Sequence, residues 1–146
     1  MRFFVLIPLF VFASCMKNEL GPEAALKEFV ESRIGKVIDR DFVLQRVGGK
    51  MLQSFKNMSQ ENFEKFADMK NIKSDSFKVL AKSCEPSKCF ITYSVSYVTL
   101  KENKPQFSSE VKKIVELVRV ENKWLIADVS NIKTYHESLE PINALE

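Results

Sequence analysis

The sequence predicts an α+β domain in which N-terminal helices pack on a curved antiparallel sheet. Three observations carry that reading. In the first half of the chain, apolar residues recur at steps of three and four. From Phe77 onward the period changes to alternation, the mark of half-buried strands. Turn residues then cut the second half into consecutive hairpins, so neighbours in sequence become neighbours in the sheet.

The elements follow in order. Pro22 suits the first turn of a helix over residues 22–36, whose apolar face holds Ala25, Leu26, Phe29, Val30 and Ile34, with Glu23 favoured by the helix dipole. Residues 37–58 repeat the helical pattern through Phe42, Val43, Val47, Met51 and Phe55. Asp39 or Asp41 can cap this stretch, and Gly48-Gly49 interrupts it. Ser59 and Asn62 are cap candidates for a short third helix bearing Phe63, Phe66 and Met69. Residues 77–82 read as a strand. Residues 89–100 (CFITYSVSYVTL) alternate most clearly, with Ile91, Tyr93, Val95 and Tyr97 on one face. Residues 108–120 form a further strand whose alternation slips at Lys112-Lys113, as a bulge would cause. Glu121-Asn122 makes a tight turn into a last strand ending near Ile132, and residues 136–146 are expected to be a tail.

The stretch MRFFVLIPLFVFASC has a charged start, an apolar middle and small residues before Cys15, which is the order of an export signal. Its apolar run is too short to span a bilayer, which takes about 20 residues. Val11-Phe12-Ala13-Ser14-Cys15 resembles the lipobox of bacterial lipoproteins. The resemblance implies cleavage after residue 14, lipidation of Cys15 and a tether over residues 15–21. It also implies a protein held at the membrane and facing the periplasm or cell surface. Met16, where an Asp would favour the inner membrane, points to the outer membrane in a two-membrane cell. The alternative is an ordinary signal cut near Ser14, releasing a soluble secreted protein.

With 146 residues and a net charge of +3, the chain suits a single globular domain without a basic block, and nucleic acid is not an expected partner. Export leaves Cys84 and Cys89 free to pair across the turn Glu85-Pro86-Ser87-Lys88. Two cysteines with one histidine make a poor metal set, and the four-residue spacing is not that of a thioredoxin-like motif, so neither metal nor cofactor is expected.

Helices followed by a meander also resemble the NTF2-like (SnoaL-like) superfamily. The segments that carry this are PEAALKEFVESRI, the strands at 89–100 and 108–120, and the closing ENKWLIADV. The resemblance covers residues 22–135. It implies three helices in the hollow of a bent sheet, a cone whose mouth holds a small molecule, and pairing into a homodimer through the outer sheet face. A cystatin-like fold, with one helix across a similar sheet, is the rival.

Such a cone would place Tyr93, Tyr97, Trp124 and Asp128 at a pocket. Trp124, Ile126 and Asp128 share a strand face by two-residue spacing, so Asp128 is the candidate base of an isomerase or dehydratase and the tyrosines are candidate donors. The plainer reading makes these residues core and solvated strand end. His136, the single histidine, has no catalytic partner close in sequence. The phenylalanines Phe29, Phe42, Phe55, Phe63 and Phe66 fall at helical spacing, as core or as the lining of an apolar-ligand cavity. The leading expectation is a non-catalytic module that binds an envelope protein or a small ligand. A pocket enzyme and an apolar-ligand carrier are the alternatives.

Overall fold

The computed structural model describes residues 20–139. The expected signal segment, Cys15, most of the tether and the end of the tail lie outside the described residues.

Four short helices lead: α1 (Pro22–Glu31), α2 (Arg40–Leu44), α3 (Gly49–Asn57) and α4 (Gln60–Ala67). Pro22 sits in the first turn of α1. Asp39 caps α2 by accepting from the Phe42 amide at 2.6 Å, and Ser59 caps α4 through the Asn62 amide at 3.3 Å. The glycine pair divides one helical pattern into α2 and α3 because the chain there runs against the sheet. An added Cβ on Gly48 would lie 3.2 Å from that of Leu125. Gly49 has φ +49°, and its added Cβ would lie 3.1 Å from that of Ala127. This close approach lets residues 46–48 pair beside the last strand, with Ile126 donating to the Arg46 carbonyl at 3.0 Å and Gly48 donating to that of Ile126 at 2.8 Å.

Strands β1 (Ile72–Cys84), β2 (Lys88–Lys101), β3 (Lys104–Val120) and β4 (Lys123–Ser138) form one antiparallel sheet in sequence order. Glu102-Asn103 and Glu121-Asn122 all have positive φ, the backbone of two-residue hairpins that match strand twist. Cys84 and Cys89 are register partners at the end of the β1–β2 hairpin and are joined as a disulfide. Register shifts in all three strand pairs bend the ladder. The edge at β1 carries Lys73, Lys78 and Lys82, charges that discourage pairing with another chain.

The core lies between the helices and one sheet face. Leu26, Val43, Val47, Phe55 and Phe63 pack on Ile91, Val95, Val115, Leu117 and Ile126. This inner face has a simple row order read from the register. Leu117 and Ile126 stand with the disulfide. Next come Ile91, Val115 and Val129, then Tyr93 and Lys113, then Val95 and Val111, then Tyr97, Ser109 and His136.

Two expectations are corrected, and the irregularity at Lys112-Lys113 is located. The NTF2-like cone with three helices, and its cystatin-like rival, give way to four short helices on a four-stranded meander; the glycine pair shortens the helical layer. A register shift does fall at Lys112-Lys113, in the ladder with β4. Pairing with β2 runs unbroken there, so Lys113 simply points inward, and the extra residue is Ile132 on β4. Residues expected to begin the tail continue β4 to Ser138, which puts His136 in the sheet.

Candidate functional site

Beyond the last fully packed row, the inner face carries polar groups under the end of α1. Arg33 lies just after α1, one turn beyond Phe29, and so continues its apolar stripe. Its guanidinium lies 3.9 Å from the Phe66 ring centroid and 5.4 Å from that of Phe29, and donates to the Phe66 carbonyl at 3.3 Å. Among the described residues, its Nε is the one buried side-chain polar atom without a hydrogen-bond partner. Burial pushes the Arg33 guanidinium down to about 10, which still leaves it protonated at neutral pH.

Lys113 approaches from β3, directly opposite Tyr93 on β2. Burial holds the Lys113 ammonium below its ordinary value, and the Arg33 charge adds to the effect. Burial also pushes the Tyr93 hydroxyl up to about 12, against the pull of Arg33. Tyr93 is therefore a neutral donor at physiological pH. Among the described residues, neither Arg33 nor Lys113 takes part in a salt bridge.

These groups surround a cavity of about 130 Å³, walled by Val30, Ile34, Met69, Val95 and Val111 and lined also by Arg33, Lys113, Tyr93 and Tyr97. Among the described residues, no carboxylate lines it. Two desolvated cations, two phenols and apolar walls can hold a small anion. They offer no carboxylate base for proton abstraction.

The four expected pocket residues are not brought together. Tyr93 and Tyr97 line this cavity. Trp124 lines a separate open groove of about 820 Å³ beside α1 and the β3–β4 turn, where Arg46 pairs with Glu28 at 3.0 Å. Asp128 was expected on the face of Trp124 and Ile126. A register shift makes Ala127 the extra residue, so Asp128 stands opposite Glu116 while Val129 takes the inner place opposite Val115. Its carboxylate is 44% exposed, lies 3.7 Å from Lys50 Nζ and accepts from the Val129 amide at 2.9 Å. The helix phenylalanines fill space against one another, Phe55 lying 4.7 Å from Phe66 and 6.4 Å from Phe63 between ring centroids. Arg40 and Arg46 cap Phe63 and Phe42 at 4.6 and 3.9 Å.

Arg33 and Lys113 escaped the sequence reading, although each is a charged residue in phase with a buried stripe. Lys113 continues the alternation Val111, Val115, Leu117, and Arg33 continues Leu26, Phe29 and Val30. The structure also brings Ser109 Oγ within 2.7 Å of His136 Nδ1, with Tyr97 beside Ser109 on β2. That contact was hidden because the end of β4 is polar on both faces. Its remaining signal was the strand-favouring run Ile132, Thr134, Tyr135.

No family model matches the chain, and no curated protein is similar to it in sequence. In fold, the chain is similar to the solution structure of a SEC-C motif containing protein from Rhodopseudomonas palustris. The TM-score is 0.55 at 11% identity, over 77% of this chain and 79% of that one. The likeness replaces the NTF2-like assignment. At this identity it describes the fold and carries no activity across.

Proposed function

We propose that the protein is an exported, membrane-anchored lipoprotein that serves as a non-catalytic binding module at the cell envelope, taking a small ligand in the cavity between α1 and the sheet. One observation carries the binding reading. The cavity gathers Arg33 and Lys113 without a carboxylate, and the Arg33 Nε is left unpartnered in the core. Arg33 is held by the Phe66 ring and carbonyl, but neither it nor Lys113 has a counter-charge in the cavity, and a small anion would supply one. The anchor reading rests on the order of the leader and on Cys15.

The test is the intact mass of the protein taken from its native membrane, under native and denaturing conditions. The expected result is a chain beginning at Cys15 with a diacylglycerol-type adduct. A further small-molecule adduct is expected in native spectra and absent after denaturation. Identical native and denatured masses contradict the binding reading. A chain starting elsewhere without lipid contradicts the anchor.

A further inference from the structure

The inner cavity is more than a generic pocket, because two cations without a carboxylate stand beside a valine pair on the same sheet face. Arg33 and Lys113 supply the charge, and Tyr93 faces Lys113 across the β2–β3 ladder. Val95 and Val111 lie one row further along the same sheet face, with Tyr97 a row beyond them. Phe66 fixes the guanidinium twice, by its ring at 3.9 Å and by its carbonyl, which accepts from Arg33 at 3.3 Å. A fully hydrated polyanion gains little from valine walls. A neutral apolar molecule leaves both cations unpaired.

We infer that the cavity is built for a small monocarboxylate with a short apolar tail, its carboxylate between Arg33 and Lys113 and its tail along Val95 and Val111. This rests on the cavity-binding reading above and specifies its ligand class. Size limits the tail. About 130 Å³ is the liquid share of roughly four water molecules, so the walls take the carboxylate and the first two or three carbons, and any further chain stands at the open mouth. Tyr93, neutral at working pH, donates to the carboxylate and accepts no proton from it. No bond of the ligand is made or broken.

The experiment is calorimetric titration of the purified chain with pentanoate, pentanamide and inorganic phosphate, at fixed ionic strength. Variants are Arg33→Met, Lys113→Met and Lys112→Met, the last on the opposite sheet face. Pentanoate is expected to bind, to weaken at least tenfold in Arg33→Met and in Lys113→Met, and to be unchanged in Lys112→Met. Should Arg33→Met fail to fold, Lys113→Met decides. Equal binding of pentanamide overturns the carboxylate while leaving the cavity reading intact. Preference for phosphate overturns the apolar tail. Absence of binding by all three overturns the inference, and the native-mass comparison then judges the cavity reading on its own.

Discussion

Lys113 makes the plainest case at the scale of the residue. A lysine stands on the inner face although burial and Arg33 both oppose its charge and hold it below its ordinary value. A group whose pKa is depressed in the folded state binds fewer protons than in the unfolded chain, so it costs stability at neutral pH and the cost fades as pH rises towards its unfolded value. Lys113→Met is therefore expected to raise the thermal midpoint of the ligand-free protein while weakening carboxylate binding at least tenfold. Scanning calorimetry at pH 7 checks it. Tyr93 has the opposite sense. Its folded value near 12 lies above its unfolded value, so the stability it contributes is intact below pH 10 and is lost as pH climbs towards 12. Arg33, lowered by burial, gains stability over the same range and partly masks the loss. Lys113, lowered as well, works with Arg33. Tyr93→Phe should remove the tyrosine contribution, so urea midpoints measured from pH 9 to pH 11 should fall less steeply, or rise, relative to wild type.

Among the elements, the glycine pair and the hairpin disulfide hold the packed end of the inner face, away from the cavity. Gly49 combines φ +49° with a Cβ position 3.1 Å from the Cβ of Ala127, so Gly49→Ala is strained both by backbone and by contact. Equilibrium urea unfolding is expected to show a loss of about 1–2 kcal/mol for that variant. Reduction of Cys84–Cys89 should cost about 2 kcal/mol, because the closed loop is short. These elements also show what the sequence could tell. The periods of three and four and the alternation at residues 89–100 located helices and strands, because each element buries one face. The glycine interruption and the two tight turns were legible for the same local reasons. The exchange of face at Ala127 was not. A bulge depends on how β4 meets β3 and on the approach of Gly49, and nothing within residues 124–128 announces it. Asp128 was misplaced for that reason. Lys113 was misread because a charge in an alternating strand looks like a slip of that strand, whereas the extra residue is on β4 and the lysine points inward.

For the whole molecule, the helices close one end of the inner face tightly and leave the next row open beneath Arg33. Salt bridges elsewhere, such as Lys50 with Asp128 and Lys65 with Glu61, sit at exposed positions and contribute little. Arg33 and Lys113, which meet at the cavity, take no part in those pairs and have no carboxylate beside them in its lining. The division of roles we propose is a tether at Cys15 that holds the domain at the envelope and a partly filled layer that receives a ligand, while the packed core fixes the sheet. The most direct test of that central claim is a titration of ¹⁵N-labelled protein with pentanoate followed by amide chemical shifts. Saturable shifts confined to the cavity walls, at Tyr93, Val95, Val111, Lys113 and residues 30–34, with Trp124 and Leu125 in the outer groove unmoved, are the predicted result. Shifts centred on Trp124 and Leu125, or none that saturate, would contradict it.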